Sequence, residues 1–298
     1  MPNSLNTIRA GVLDVAYEAH GPADGQAVVL LHGFPYDVRC YDEVAPLLAL
    51  RGIRVIVPYL RGYGATRFVE VSTPRSGEQA VLGMDLLALL DALGIGRAVL
   101  AGYDWGGRAA CVVAALWPER VAGLVSGTGY NIQDIAASVR PEPPEAEARY
   151  WYQYYLHGER GREGLTQNRG AFARLLWRMW SPDWAFDEAT FARTAASFDN
   201  PDFVEVVVHS YRHRFGLVAG DPAAADVERR LAARPSIGVP AINLHGAGDG
   251  VGPPAAVDGA AKRFTAAYER RLLDGVGHNI PQEAPRAFAE AVLALAAT

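Results

Sequence analysis

VLAGYDWGGRAA, residues 99–110, is the segment from which the rest of the chain can be interpreted. A short apolar run ends at Gly102, one acidic residue follows at Asp104, and Gly106 and Gly107 open a stretch of helical pattern. We interpret this as a buried strand that turns sharply into a helix. Such a turn strains the residue at its apex and lifts that side chain above the sheet edge, so the flanking residues must be small.

The apex residue, Asp104, has two interpretations. An aspartate with an unperturbed pKa near ~3.9 is already an anion at neutral pH, so it can act as a nucleophile without the base that a serine needs. It can also cap the helix that follows, a role that suits aspartate. The Gly-x-Asp-x-Gly motif alone allows both interpretations and on its own favours the cap.

The composition excludes several function classes. The chain has 298 residues, half of them apolar, and its net charge of −5, with both signs mixed along it, argues against a nucleic-acid partner. Its single lysine, Lys262, lies far from any glycine-rich loop, which excludes Walker-type nucleotide enzymes and Schiff-base enzymes. Cys40 and Cys111 are too few for a disulfide framework and lack metal-ligand spacing, so no metal is expected.

The hydropathy pattern gives no sign of a membrane protein. The first residues lack the basic and apolar regions of a leader sequence, and no uncharged apolar run approaches the ~20 residues of a membrane span. We therefore expect a cytoplasmic protein with no membrane partner.

Strand and helix patterns alternate over most of the chain. Rough alternation at residues 7–20 predicts an edge strand or hairpin, and apolar residues at helical spacing predict a helix over about 78–93. Continuous apolar runs predict strands that are buried on both faces. Together these patterns predict a mostly parallel sheet flanked by helices, the α/β class. The further predicted strands are 27–31, 54–58, the run before Asp104, 121–125, 240–244 and 268–273, and the later predicted helices are 254–265 and 281–295.

One long segment departs from this alternation. Residues 131–234 contain no buried-strand run; they begin with a Pro/Glu-rich patch and continue with helical segments rich in aromatic residues. We predict that this segment is a helical cap, inserted into a core formed by residues 1–130 and 235–298.

Four strand ends carry polar or glycine-rich signals. They are HGFP at 32–35, Asp104 with Trp105, GAGDG at 246–250 and GVGHN at 275–279. Ligands bind at the carboxyl ends of the strands in open parallel sheets, so these signals should converge. The last three signals follow the order nucleophile, acid, histidine along the chain, which is the order of α/β-hydrolase triads.

The pattern resembles the α/β-hydrolase family along most of the chain, and within it the branch with an aspartate nucleophile. Epoxide hydrolases are most similar, because His-Gly-x-Pro after an early strand, Gly-x-Asp-Trp-Gly at the turn, a late acidic residue and a late Gly-His all occur together. The resemblance implies that Asp104 is the nucleophile, His278 the base and Asp249 the carboxylate that orients the histidine. It implies no cofactor.

The resemblance also covers the surroundings of the nucleophile. It implies that Phe34 and Trp105 donate backbone N–H groups to an oxyanion hole, and that the bond between Phe34 and Pro35 is cis. From position and bulk we expect the substrate pocket to be lined by aromatic side chains. The expected set is Phe34, Trp105, Trp151, Trp177 and Trp180.

Alternatives remain for several of these residues. His245 lies at an adjoining strand end and rivals His278, which we prefer because it follows the last strand in a glycine-flanked loop. Asp249 sits between glycines, where a turn residue is common. Some relatives carry the triad acid after the strand that precedes the cap. In this chain no carboxylate directly follows that strand, and Asp134 lies further along the sequence. His32 is expected to brace its loop.

The leaving group separates the candidate reactions. A halide leaves as a stable anion, whereas an epoxide oxygen needs an acid to protonate it as the ring opens. A tyrosine with a pKa near ~10 can supply that proton. By resemblance, the contexts YQYY and SYR imply that Tyr152 and Tyr211 are these acids. The alternative is apolar packing, which we expect for Tyr150, Tyr154 and Tyr155.

The sequence therefore predicts an epoxide hydrolase that converts a small apolar epoxide and water into a vicinal diol through an ester on Asp104, a role suited to detoxification. A haloalkane or haloacetate dehalogenase with the same nucleophile is the first alternative, although Trp105 stands where haloacetate dehalogenases carry an arginine. A non-catalytic ligand-binding protein of the same fold is the second. An esterase fits least, because no serine occupies the turn.

Overall fold

The computed structural model describes residues 5–297, except the side chains of residues 256–258. Within these residues nine strands form one sheet, in the order β1-β2-β4-β3-β6-β7-β8-β9, with β5 paired to β2. The strands are β1 (Leu5–Ala10), β2 (Leu13–His20), β3 (Ala27–Leu31), β4 (Arg54–Pro58), β5 (Arg67–Phe68), β6 (Ala98–Gly102), β7 (Val121–Gly127), β8 (Ala241–Gly246) and β9 (Tyr268–Leu273).

The sheet is parallel from β4 to the β9 edge. An antiparallel hairpin, β1 with β2, extends it at the other edge, and β2 is also antiparallel to β4. Strands β3, β6 and β8 are buried at every residue, as expected for strands covered on both faces. The predicted hairpin and the predicted mostly parallel sheet are confirmed.

Helices form a layer on each face of the sheet. Helices α2 and α3 pack together on one side, α1 and α11 pack together on the other, and both α3 and α11 contact β7. The helices are α1 (Val44–Ala49), α2 (Gln79–Ala92), α3 (Asp104–Leu116), α4 (Pro144–Arg149), α5 (Trp151–Tyr155), α6 (Glu159–Trp180), α7 (Glu188–Ala195), α8 (Phe203–Arg214), α9 (Ala225–Ala232), α10 (Ile280–Glu283) and α11 (Pro285–Ala296).

Two of the late helices differ from their prediction. The helix expected over 281–295 is divided into α10 and α11, because Ala284 has an extended φ of −140° before Pro285. A proline disfavours helical backbone in the residue that precedes it. The helix expected near 254–265 is a 3-10 helix, Pro254–Arg263, and not an α-helix.

The segment between β7 and β8 is helical, as predicted, and lies over the loops that follow the parallel strands. Trp177 donates its indole N–H to the carbonyl of Pro35 at 2.8 Å. Thr194 donates its hydroxyl to Asp37 at 2.9 Å, which adds a second contact to the same loop. Helices α6 and α7 thus cover the end of β3, while the boundaries of a separate cap stay a prediction. In the part of the chain that the structure describes, every helix is too short or too polar to cross a membrane.

Candidate active site

Asp104 occupies a strained turn between β6 and α3. Its φ is +50°, in the left-handed region that L-residues rarely adopt. Small neighbours permit this turn: a Cβ atom on Gly106 would lie 2.1 Å from the carbonyl oxygen of Leu31, and one on Gly102 would lie 2.7 Å from the carbonyl carbon of Gly106. The turn therefore presents the Asp104 carboxylate at the carboxyl end of the sheet.

The two oxygens of the Asp104 carboxylate have different environments. Oδ1 accepts the backbone N–H of Phe34 at 2.8 Å and that of Trp105 at 2.7 Å. The bond between Phe34 and Pro35 is cis, the isomer that the resemblance implies. Two fixed donors hold Oδ1, so Oδ2 is the oxygen available for attack.

A histidine and a second aspartate complete a line of charged groups. His278 Nδ1 lies 2.8 Å from Asp249 Oδ2, and His278 Nε2 lies 3.7 Å from Asp104 Oδ2. The other oxygen of Asp249 accepts the backbone N–H groups of Val251 and Gly252, each at 2.9 Å. These bonds fix the carboxylate of Asp249, which in turn orients the imidazole toward Asp104.

The backbone of His278 is tied to the end of α6. Its N–H donates to the carbonyl of Trp180 at 3.1 Å and to the hydroxyl of Ser181 at 3.0 Å. Ser181 donates its own proton to Glu283 at 2.6 Å, and Glu283 also accepts the N–H of Gly277 at 2.6 Å. The histidine loop is thereby anchored from the helical segment and from α10.

The line of charges keeps the histidine protonated. Burial alone would lower the pKa of His278, but the charges and hydrogen bonds of Asp249 and Asp104 raise that pKa to about 10. Burial alone would raise the pKa of Asp104, yet His278, Arg108 and the N–H of Phe34 together lower it. At neutral pH an imidazolium therefore lies between two carboxylates.

Two buried tyrosines lie beside this group. The rings of Tyr152 and Tyr211 meet edge to face at 5.4 Å, and Tyr211 lies 5.4 Å from the ring of Phe34. Tyr152 accepts a hydrogen bond from Gln153 at 2.9 Å, whereas the buried hydroxyl of Tyr211 has no partner among the described residues. Burial, with the charge of Asp104 adding to it, raises the pKa of both phenols above the ordinary value. Both therefore stay protonated and able to donate.

A family profile described as the alpha/beta hydrolase fold matches residues 26–285. The chain belongs to this family: it is an α/β hydrolase. A crystal structure named a "putative epoxide hydrolase" from Klebsiella pneumoniae is 50% identical to this α/β hydrolase, with a TM-score of 0.97, and the match covers 99% of this chain and 98% of that one. Epoxide hydrolase A of Mycobacterium tuberculosis is 26% identical over 92% of this chain and 91% of its own length. A haloalkane dehalogenase of Psychrobacter cryohalolentis is 34% identical over 39% of this chain and 37% of its own length.

The expected aromatic lining of this α/β hydrolase divides into two groups. Phe34 stacks on Trp105 at 5.7 Å and lies 6.3 Å from Trp180, so these three rings surround Asp104 and His278. Trp177 instead stacks on Tyr36 at 5.0 Å and supports the loop after β3. Trp151 packs against Phe172 at 5.8 Å, within the helical segment. Bulk and position alone do not distinguish a pocket ring from a supporting ring.

The alternative residues have other partners in this α/β hydrolase. His245 bonds the carbonyl of Gly252 at 2.6 Å, and Asp134 caps the short helix Ile135–Val139. His32 lies 3.0 Å from the carbonyl of Gly33 and accepts the N–H of Leu60 at 3.1 Å, so it links two loops, as expected. Neither His245 nor Asp134 contacts Asp104 among the described residues.

Sequence reasoning missed several residues around the site of this α/β hydrolase. Arg108 could have been found, because it follows Asp104 by one helical turn and shares its face of α3. Arg214 follows Tyr211 by three residues on α8 and lies over its ring, 4.9 Å from the guanidinium carbon to the ring centre. Ser181 gave no signal, because only the folded chain brings it to His278.

Proposed function

We propose that this α/β hydrolase opens epoxides to vicinal diols through a covalent ester on Asp104. The observation that carries this proposal is the pair of buried phenols beside a carboxylate with one oxygen already held, where the hydroxyl of Tyr211 has no partner among the described residues. The names of its relatives support the same reaction. Residues 131–234 would then act as the cap that supplies both tyrosines.

In the first half of the reaction, Oδ2 of Asp104 attacks a ring carbon of the epoxide. The carbon–oxygen bond of the ring breaks, and Tyr152 or Tyr211 gives its proton to the leaving oxygen, which would otherwise depart as a strongly basic alkoxide. The product is a hydroxyalkyl ester of Asp104. Its carbonyl oxygen is Oδ1, which stays between the N–H groups of Phe34 and Trp105.

The second half hydrolyses this ester. Alkylation neutralises Asp104, and His278 then loses one of the two negative charges that keep it protonated. The tyrosinate regains a proton as His278 gives one up, and the neutral imidazole accepts a proton from water that attacks Cγ of Asp104. The N–H groups of Phe34 and Trp105 stabilise the oxyanion on Oδ1. Collapse breaks the bond between Cγ and Oδ2, and Oδ2 leaves as the second diol oxygen with the proton that His278 had accepted from water. The new carboxylic acid of Asp104 then gives its remaining proton to His278, which restores the starting charges.

The test is an assay of the purified protein with a styrene-type epoxide, a haloalkane and a haloacetate, scored for diol and for released halide. We expect diol from the epoxide, none with Asp104→Asn, and a loss of about 10²-fold or more when Tyr152 and Tyr211 are both changed to Phe. Tyr154→Phe is the matched control, because Tyr154 is exposed and its hydroxyl bonds Glu147. Halide release without diol would contradict the proposal.

A second candidate is haloalkane dehalogenation. The indole nitrogens of Trp105 and Trp180 are both buried and have no hydrogen-bond partner among the described residues. Two such N–H groups beside Asp104 could hold a departing halide. Trp105→Phe separates the candidates, because it would remove one of the two halide donors and slow halide release, but leave the proton donors of epoxide opening in place.

A further inference from the structure

Arg108 is a buried cation without a partner among the described residues. Its side chain reaches from α3 into the site, and the residue is 7% exposed. It forms no hydrogen bond or ion pair with any residue that the structure describes, and its Nε is fully buried. Arg108 follows Asp104 by one helical turn on α3, and the charged or ionisable groups that most affect its pKa are Arg214, Asp104, Tyr211 and Tyr152.

Arg214 approaches the same place from α8. Its guanidinium lies over the ring of Tyr211, and Nη1 donates to Oε1 of Gln153 at 3.1 Å. Gln153 in turn donates to the hydroxyl of Tyr152. The Nε and Nη2 of Arg214 are buried and have no partner among the described residues. Two arginines from two parts of the chain thus bring unpaired N–H groups to the tyrosine pair.

A buried guanidinium group without a partner destabilises the folded state, and another buried arginine of this chain does have a carboxylate partner. Arg61 is also buried, but it forms a bidentate ion pair with Asp85 at 2.6 and 2.7 Å. Within the described chain Arg108 forms no such ion pair, and Glu228, whose pKa its charge affects, accepts a hydrogen bond from Gln79. Buried charges are normally compensated by a partner. Arg108 and Arg214 lack that partner within the described chain.

Both arginines bring positive charge to the tyrosine pair. Burial and the charge of Arg214 lower the pKa of Arg108 to about 10, so at neutral pH it remains a cation. Neither guanidinium forms an ion pair with a carboxylate of the described residues, and a bound anion would supply that partner.

We propose that the epoxide substrate carries a carboxylate group, which Arg108 and Arg214 bind while the ring lies between Asp104 and the tyrosines. This inference rests on the proposed function. A planar carboxylate matches the fork of N–H donors on a guanidinium. Arg214, Gln153 and Tyr150 also line a cavity of about 720 Å³, which leaves room beside the guanidinium of Arg214.

The experiment compares a short epoxy carboxylic acid with its primary amide, which has nearly the same shape without the charge. We expect kcat/KM for diol formation to be about 10-fold or more higher for the acid. Arg108→Gln and Arg214→Gln should each remove most of that preference. Arg212→Gln is the matched control, because Arg212 pairs with the exposed Glu159 and its loss should leave the preference unchanged.

A binding measurement on the wild-type protein covers the case in which a variant fails to fold. Butanoate should raise the melting temperature in a saturable way, and butanamide should not, because only a ligand that binds the native state stabilises it. Equal turnover of acid and amide, with no effect of butanoate, would overturn this inference and leave epoxide hydrolysis intact. Absence of diol from both substrates would overturn the proposed function, and the butanoate result would then decide the anion site alone.

Discussion

The chemistry of single side chains in this protein depends on the unequal surroundings of the two Asp104 oxygens. Oδ1 is held by two backbone N–H groups, so the carboxylate cannot rotate to exchange its oxygens without breaking both bonds. In the proposed mechanism, attack and hydrolysis therefore involve different atoms of one residue. The same donors would serve the ground state and the tetrahedral intermediate, where the greater charge on Oδ1 would strengthen both hydrogen bonds.

Replacing His278 should separate the two halves of the reaction. His278→Ala removes the base but leaves Asp104 and both tyrosines, so the ester should form and then persist. Hydrolysis should slow by about 10²–10⁴-fold. Mass spectrometry of the Asp104 peptide after exposure to epoxide should show a gain equal to the mass of the substrate.

Two further variants serve as controls for that experiment. His278→Gln keeps a polar side chain beside Asp249, in case the alanine variant is unstable. Asp104→Asn should show no mass gain. An unmodified Asp104 peptide in both His278 variants would refute the division of roles between nucleophile and base.

The pH dependence of the two halves should differ. Ester formation should be flat between about pH 6 and pH 9, because the pKa of Asp104 is lowered and the pKa values of both phenols are raised. Ester hydrolysis should accelerate as pH rises, since it needs His278 neutral, and its pKa falls once Asp104 is esterified. Single-turnover kinetics measure both rates. Ester formation that rose with pH in this range would contradict the assignment.

The sequence could predict some of these residues but not others, for a physical reason. Asp104, Asp249 and His278 each follow a strand, and parallel strands end at one edge, so a local pattern predicted that they meet. Tyr152 and Tyr211 lie on helices outside the sheet, where no such rule applies, and only the resemblance indicated them. Their roles stay predictions.

At the level of secondary structure, the turn from β6 into α3 allows no added volume. Gly106→Ala should destabilise the protein by about 3 kcal/mol or more, because its Cβ would overlap the backbone of Leu31. Gly170→Ala is the matched control: Gly170 lies within α6 with open space around it, so this change should stabilise the protein by about 0.5–1 kcal/mol. Urea unfolding measures both, and equal effects would contradict the packing argument.

Helices and strands could be predicted from the sequence where a segment is buried along its whole length or keeps one apolar spacing without a break. Strand β3 was predicted with its exact ends, because a fully buried run between polar residues leaves little choice. The division at Pro285 was missed, since the apolar spacing continues across it while the backbone does not. Long-range contacts such as that between Ser181 and His278 have no local pattern at all.

Asp37, in the loop after β3, links the sheet to helix α7 of the segment between β7 and β8. This buried carboxyl accepts from Thr194 of α7 and from the N–H of Arg39, and burial raises its pKa to about 8. The native pKa exceeds the unfolded one, so the native state holds the proton between about pH 4 and pH 8 and its stability falls as pH rises.

Asp37→Asn should remove this part of the pH dependence. Relative to the variant, the wild type should lose up to about 1.4 kcal/mol of unfolding free energy per pH unit over that interval. Thermal or urea unfolding at about pH 5 and pH 8 gives the comparison. Parallel stability curves for the two proteins would show that Asp37 is ionised in the native state.

The hydrogen bonds from the backbone of His278 to Trp180 and Ser181 limit how this site can be transferred between related proteins. The proposed base, His278, lies near the end of the sequence, but its backbone is held by Trp180, the last residue of α6, and by Ser181, both within the predicted cap. Exchange of that segment between relatives, by recombination or by design, would therefore disturb the base as well as the pocket. A functional graft must carry the turn after α6 and the loop of His278 as a matched pair.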